Sequence, residues 1–172
     1  MVVLKSLAAC AAAVVATLGA AGVAGAHVSL SPGTATAGAY QVLRFGVGHG
    51  CDGKATTALR IAIPAGVQVA HPQPKPGWRL TIEHPPSRPE AAAAITWTGR
   101  LPADQFDEFV VLTKLPTDET ALAFPATQSC GAIVIHWSEP AAADGPRPQH
   151  PAPSLKLTPP APSPDASHEH HH

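Results

Sequence analysis

The chain has 172 residues, of which 45% are hydrophobic and 13% are charged, and its formal net charge is −1. This length fits one domain of moderate size. The low charged fraction excludes disorder driven by high net charge. The net charge near zero argues against a nucleic-acid-binding protein, which needs a basic surface. The 20 prolines argue against a helical bundle, because each proline lacks a backbone donor and fixes its own φ. Ten histidines stand out, since imidazole is a common metal ligand.

Residues 1–26 have the pattern of a secretory signal peptide. An apolar stretch from Leu7 to Val23 leads into Ala24-Gly25-Ala26, which has the small residues of a cleavage site. The stretch is also long enough to be considered as a transmembrane anchor. It consists mostly of alanine, however, and has no charged stop on its far side. We therefore expect cleavage after Ala26, export without a membrane anchor, and His27 as the first mature residue.

Short β-type runs, separated by proline and glycine, follow in the mature chain. The alternation of apolar residues with period two is clearest in 43–47 and in 59–63. No stretch of useful length has apolar residues at helical spacing. The predicted strands are Val28–Leu30, Tyr40–Val47, Thr57–Ile63, Trp78–Ile82, Ala94–Thr98, Phe109–Thr113 and Ile133–Trp137. Several short strands punctuated by turns predict an all-β fold, an antiparallel sandwich.

The composition changes at Pro140, after which prolines are frequent. We predict one domain over residues 27–140 and a flexible, proline-rich tail over residues 141–172. Within the tail, only Leu155-Lys156-Leu157 has the alternation of an edge strand. The chain ends in His168-Glu169-His170-His171-His172, which is either native metal-gathering sequence or part of a tag. A tag usually has more consecutive histidines, so we favour native sequence.

Two cysteines remain once the signal segment, with Cys10, is removed. Cys51 and Cys130 form an even pair in an exported protein, which predicts one disulfide. Two unpaired thiols and a copper(I) site made by the two sulfurs are the alternatives. The disulfide would draw the segment 49–53 towards the strand that ends at Trp137, because Cys130 lies just before that strand.

His27 is the sharpest candidate for a functional residue. As the first mature residue it offers both its amine and its imidazole Nδ1 to one metal ion, and copper(II) favours such nitrogen-rich sets. His49 and Asp52 are its candidate companions, because the glycines of His49-Gly50-Cys51-Asp52-Gly53 permit a tight backbone path. The alternative is a simple turn anchored by Cys51. Three further histidines lie beside prolines and are interpreted as solvated: His71, His84 and His150.

An ordered set of motifs runs through residues 27–140. The motifs are His27-Val28 after the cleavage site, Ala37-Gly38-Ala39-Tyr40, the His49–Gly53 segment, Ile63-Pro64-Ala65-Gly66-Val67, Pro74-Lys75-Pro76-Gly77-Trp78, Ile95-Thr96-Trp97, Phe106-Asp107-Glu108-Phe109 and Ile135-His136-Trp137. In this order they resemble the YcnI-like family of exported copper-binding domains, long catalogued as a domain of unknown function.

The resemblance implies an immunoglobulin-like sandwich with a copper(II) site of the histidine-brace type. In that family the N-terminal histidine binds through its amine and imidazole, a carboxylate completes the set, and a tryptophan lies close to the copper. His27 matches the histidine and Trp137 the tryptophan. The family's glutamate has no direct match, so Asp52 is the nearest carboxylate and His49 a rival nitrogen ligand. The brace therefore holds one histidine or two.

The resemblance also implies a function. We expect a copper carrier or chaperone of copper homeostasis, periplasmic or secreted in a bacterial cell envelope, with no enzymatic activity. Its partners are the copper ion and another copper-trafficking protein of the envelope. A metal-free adhesion or interaction sandwich is the first alternative. A copper monooxygenase acting on polysaccharide is the second, and the few aromatic residues, 5% of the chain, disfavour it.

Overall fold

The computed structural model of the chain describes residues 27–140, 146 and 148–161. The predicted signal peptide and the histidine-rich end lie outside the described residues. Within them, no helix is long and apolar enough to cross a membrane. The strands in chain order are β1 (Val28–Ser31), β2 (Thr34–Thr36), β3 (Tyr40–Val47), β4 (Thr56–Ala62), β5 (Val69–Pro72), β6 (Arg79–Glu83), β7 (Ala94–Leu101), β8 (Asp107–Lys114), β9 (Ala121–Ala123), β10 (Ala126–Cys130), β11 (Ile133–Trp137) and β12 (Ser154–Thr158).

Two antiparallel sheets contain nine of the twelve strands of the described residues. The first has four strands in the order β1-β3-β8-β5, and the second has five in the order β11-β10-β4-β7-β6. A third, small sheet has the order β2-β12-β9. β1 is thus an edge strand of the first sheet and β11 an edge strand of the second.

The alternation of apolar residues places one hydrophobic core between the two large sheets. Leu43 and Phe45 of β3 are 0% exposed, and so are Leu59 and Ile61 of β4 and Trp97 of β7. These residues recur at every second position because successive side chains of a strand point to opposite faces. Each buried side chain of this size contributes roughly 1.5–3 kcal/mol. The predicted all-β, antiparallel sandwich is confirmed.

Each predicted strand is present, and the structure adds β2, β5, β9 and β10. It also contains β12, where alternation suggests an edge strand, but this strand has a neighbour on each side. β10 shows why the four added strands were missed. Its inward-facing residues are Ala126, Gln128 and Cys130, which are 2%, 1% and 0% exposed. A small, a polar and a disulfide-bonded residue do not produce the hydropathy alternation by which a buried strand is recognised.

The residues expected to form a tail contain a well-buried strand, so the folded part extends beyond residue 140. β12 lies between β2, with which it is parallel, and β9, with which it is antiparallel. Leu155 is 0% exposed and Leu157 is 4% exposed. The strand forms within proline-rich sequence because Pro153 and Pro159 flank it and leave every amide of Ser154–Thr158 available for pairing.

The solvent-facing side of the second sheet carries a bidentate ion pair. Arg60 of β4 donates to both carboxylate oxygens of Glu83 of β6, at 3.0 and 2.7 Å. These hydrogen bonds hold the pKa of the Glu83 carboxyl below its usual value. The pair spans β7 and is exposed, so it fastens the outer surface of the sheet without entering the core.

We predict that Leu155→Ala lowers the free energy of unfolding by about 2–5 kcal/mol, because it leaves a cavity in a fully buried position. The neighbouring Lys156 is exposed, so Lys156→Ala is the matched control, with an expected change within about 0.5 kcal/mol. Urea denaturation measures both values. Equal stabilities of the two variants would mean that β12 is not part of the cooperative fold.

Candidate metal centre

His27 and Trp137 meet at the side of the sandwich where an edge strand of each sheet runs. The ring centroids are 5.5 Å apart, and the ring planes are tilted by 39°. His27 precedes β1, and Trp137 is the last residue of β11. The His27 side chain is exposed, whereas Trp137 is only 2% exposed. The structure thus brings together His27 and Trp137, two of the residues predicted to form the site.

The orientation of Trp137 follows from the alternation in β11. Ile133 and Ile135 are partly buried, whereas Val134 and His136 are exposed. Trp137 shares the inward face of the two isoleucines, because every second residue of a strand points to the same side. Because Trp137 ends an edge strand, its ring reaches the margin of the core, where His27 packs against it.

The segment 49–53 leads into a tight hairpin turn formed by residues 51–54. Cys51 N donates to Lys54 O at 3.1 Å, and Lys54 N donates to Cys51 O at 2.9 Å. Asp52 and Gly53 between them have φ of 48° and 70°. Two successive positive φ values are what a type I′ turn requires, and Asp-Gly is a preferred sequence for it. Asp52 therefore stands exposed at the tip of the turn, and turn chemistry accounts for its presence without a metal.

Cys51 and Cys130 form the predicted disulfide, with Cα atoms 5.8 Å apart. The disulfide closes a loop with a sequence separation of 79. In the entropy model, this closure raises the free energy of the unfolded chain by about 4–5 kcal/mol. Cys130 lies opposite Ile133, at the start of β11, and Trp137 lies at the other end of that strand. The disulfide therefore ties the turn to the end of β11 that is remote from Trp137, which differs from the convergence expected from the sequence.

Gln128 ties the backbone of His49 to β10, the strand beside β11. Its Nε2 donates to His49 O at 3.0 Å and to Thr56 Oγ1 at 2.8 Å. Gln128 lies opposite Ile135, two residues before Trp137. In the sequence this glutamine is an unremarkable polar residue before Cys130, and only its 1% exposure identifies it as a buried tether.

The His49 ring is turned towards its own loop. His49 Nδ1 lies 2.8 Å from Gly50 O. A carbonyl oxygen only accepts, so Nδ1 carries the hydrogen and Nε2 is the nitrogen with a lone pair. His49 thus keeps one nitrogen that could bind a metal ion.

Trp137 has a second aromatic neighbour, His150, which the sequence assigned to solvent. The centroids of these rings are 5.0 Å apart with an interplanar angle of 63°. His150 belongs to the segment 148–152, which runs beside the residues after β11. Ser138 N and Glu139 N both donate to His150 O at 3.0 Å, and Ala152 N donates to Glu139 O at 2.9 Å. No spacing in the sequence indicates this contact, because it depends on the return of the chain towards β12.

Two buried polar side-chain atoms of the described residues have no hydrogen-bond partner: Trp137 Nε1 and Gln128 Oε1. Gln128 and Trp137 lie on the inward faces of neighbouring strands. An unpaired buried polar group costs about 1–3 kcal/mol, and such groups call for an explanation by function, water or an ion. Within the described core, the buried side-chain atoms that lack a hydrogen-bond partner therefore lie at Trp137 and on the strand beside it.

Among residues 27–140, 146 and 148–161, no three His, Cys, Asp or Glu side chains converge as a group that could hold a metal ion. The choice of His49 or Asp52 as a ligand therefore stays a prediction. A site at a free N-terminus needs fewer side chains, because its amine is itself a donor. The nitrogen-rich set around Trp137, with His27 and His150, fits copper(II) on ligand chemistry.

A cavity of ≈ 280 Å³ beside Gln73–Pro76 and Asp107–Val110 is a second place to look for a ligand. The ammonium group that faces it is already paired, since Lys75 Nζ lies 2.6 Å from Asp107 Oδ1 and donates to Glu108 O at 3.1 Å.

The motif Pro74–Trp78 that borders this cavity has a structural role. Trp78 N donates to Lys75 O at 3.1 Å around Pro76-Gly77, and the Trp78 ring occupies the space where a Cβ on Gly99 would lie, 2.4 Å away.

Solved structures define the class of fold. A crystal structure of an uncharacterized protein from Nocardia farcinica, whose title reports an immunoglobulin-like fold, matches with a TM-score of 0.66 and 36% sequence identity. The match covers 76% of this chain and 97% of that chain. The sandwich is therefore immunoglobulin-like, as the resemblance implied.

The family model described as "Domain of unknown function (DUF1775)" matches residues 27–157, and the chain belongs to this family. A curated relative is the copper-binding protein CutI of Bacillus subtilis (strain 168), with 27% identity over 127 residues. That alignment covers 72% of this chain, and the chain spans about 60% of the length of the relative. These matches confirm the family resemblance, and the family model includes most of β12.

We predict that Gln128→Met lowers the free energy of unfolding by about 1–3 kcal/mol, because it leaves His49 O and Thr56 Oγ1 without their donor. Amide hydrogen exchange in residues 49–55 should also become faster. The same substitution at the exposed Gln105 is the control and should change neither quantity. Unchanged exchange in Gln128→Met would show that this glutamine does not hold the loop.

Proposed function

We propose that the mature protein binds copper(II) at its N-terminus and carries copper in a bacterial cell envelope, in the periplasm or after secretion. The observation that carries this proposal is the contact between His27 and Trp137, with ring centroids 5.5 Å apart. The printed name of the relative, copper-binding protein CutI, supports copper as the metal. Export and cleavage after Ala26 are part of the proposal, since only a free His27 amine completes the chelate.

His27 supplies two nitrogen donors to the proposed site, its amine and its imidazole Nδ1. A chelate made by one residue needs little help from the fold, and copper(II) favours nitrogen ligands in a square-planar arrangement. His49 Nε2 and the Asp52 carboxylate are the further donors expected from the sequence. His49 is the better placed of the two for this role, because Gln128 ties its backbone towards β11, whereas Asp52 stands exposed at a turn tip.

Trp137 gives the proposed site an apolar wall. Its ring is nearly buried, so it shields one side of the metal from water without offering a ligand atom. The electron-rich face of an indole also attracts cations, so Trp137 would stabilise copper(I) through a cation–π contact. A protein that takes up or releases copper through a redox change would use both effects.

A carrier is favoured over an enzyme. The proposed site needs no substrate-binding groove, and its partner is another copper-trafficking protein of the envelope. A metal-free interaction sandwich is the alternative. The Asp52-Gly53 turn is consistent with it, because the turn geometry accounts for Asp52 without a metal ligand role. Copper(II) titration of the mature protein separates the two functions.

We expect one added residue before His27 to abolish most copper(II) affinity, because a peptide bond replaces the amine donor. Calorimetry compares mature His27-first protein with a Met-His27 form. Both carry alanine at His168, His170, His171 and His172, which we call the tail-alanine background, so that the terminal histidines do not hide the site. Equal affinities of the two forms would refute the N-terminal chelate.

Copper(II) should quench tryptophan fluorescence strongly, and Trp137→Phe should remove most of that quenching. The controls are Trp78→Phe and Trp97→Phe, which should keep it, because these rings pack against Phe109 in the core rather than against His27. If Trp137→Phe leaves both quenching and copper affinity intact, Trp137 is a packing residue only.

A further inference from the structure

We infer that His150 is the second imidazole ligand of the proposed copper site and that Glu139 positions it. This inference rests on the proposed function and assigns a residue that the sequence placed in solvent. It replaces His49 and Asp52 as the completing donor with a histidine from the return segment 148–152.

The first argument is the position of His150 relative to Trp137. The two rings are 5.0 Å apart between centroids, which is no farther than the 5.5 Å between His27 and Trp137. Both imidazoles therefore contact the same indole, the ring that would border a metal ion bound by His27. The His49 ring lies against Gly50 O of its own turn, whereas the ring neighbours of Trp137 among the described residues are His27 and His150.

The second argument is the orientation of the His150 ring. Its Nδ1 faces Glu139 Oε1 at 3.7 Å, which leaves Nε2 as the nitrogen for a metal ion. The other oxygen, Glu139 Oε2, accepts from the His150 backbone N at 3.1 Å. One carboxylate thus accepts a hydrogen bond from the main chain of His150 and faces its ring. Carboxylates that face the far nitrogen of a metal-bound histidine fix its tautomer and raise its basicity.

The third argument is the rigidity of the backbone that carries His150. Its carbonyl accepts from both Ser138 N and Glu139 N, and Ala152 N donates to Glu139 O. A further bond, from Phe124 N to Pro153 O at 2.8 Å, leads the chain into β12. These bonds hold a side chain that is still 41% exposed, so solvent reaches the His150 ring.

The donor count agrees with the absence of a three-side-chain cluster in the described residues. The His27 amine, His27 Nδ1 and His150 Nε2 are three nitrogens, but only two side chains contribute them. Three nitrogen donors suit copper(II), whose preferred geometry is tetragonal. Without His150, the chelate of His27 alone would leave the ion more open to water.

The test is electron spin-echo envelope modulation of the copper(II)-loaded mature protein in the tail-alanine background, together with calorimetry. Wild type should show two imidazoles. His150→Ala should show one and bind copper(II) more weakly by at least about 100-fold. His71→Ala is the matched control, because His71 is an exposed histidine that also precedes a proline. It should keep both imidazoles and the affinity.

Glu139→Gln tests the positioning role. This variant keeps the shape of the side chain but removes the negative charge opposite His150 Nδ1, so affinity should fall about 10–100-fold. The modulation frequencies of one remote imidazole nitrogen should also shift, a change that a merely structural role would not produce. Unfolding free energies of all variants, measured in urea, show whether a loss of affinity reflects a loss of folding.

The outcomes separate this inference from the proposed function. Absence of copper(II) binding by the wild type would overturn both. Copper(II) binding with a single imidazole, unchanged in His150→Ala, would overturn the role of His150 and leave the N-terminal chelate in place. Loss of the second imidazole in His49→Ala but not in His150→Ala would assign that ligand to His49 and also overturn the inference.

Discussion

The packing of one indole at the margin of two sheets is the constraint on which the proposed site depends. Trp137 ends an edge strand of the second sheet, and its ring is covered by His27 and His150. Those two histidines are more than 120 residues apart in the chain, yet both lie against the same ring because β1 and the segment after β11 run along the same side of the sandwich. Burial of the indole therefore brings together groups that no local motif could assemble.

Much of the architecture can be read from alternation. Residues 43–47 and 59–63 alternate in hydropathy, and their inward residues form the centre of the core. The face of Trp137 follows from the same rule. β10 escapes it, because its inward positions hold Ala126, Gln128 and Cys130 and its stability comes from pairing with β4 and β11 rather than from apolar side chains. A hydropathy pattern detects strands that bury large apolar side chains, and the inward face of β10 has none.

The candidate site was only partly predictable for a related reason. His27 is predicted as a site residue from the cleavage site, and Trp137 from the family resemblance. Their rings are in contact in the structure. The contribution of His150 could not be foreseen, because a proline-rich composition normally indicates an extended linker. Here the prolines flank β12, and the return to that strand positions His150 beside Glu139. The disulfide, although correctly predicted, fastens the Asp52 turn to the opposite end of β11 from Trp137.

The central claim is that copper(II) binds beside Trp137 at the mature N-terminus. The most direct measurement is a proton–nitrogen correlation spectrum of the mature protein, in the tail-alanine background, before and after one equivalent of copper(II). Paramagnetic relaxation broadens signals near the ion, and the three indole N–H groups report on three separate places. The account predicts that the Trp137 indole signal disappears while those of Trp78 and Trp97 remain. Retention of the Trp137 signal, with copper(II) bound, would contradict it.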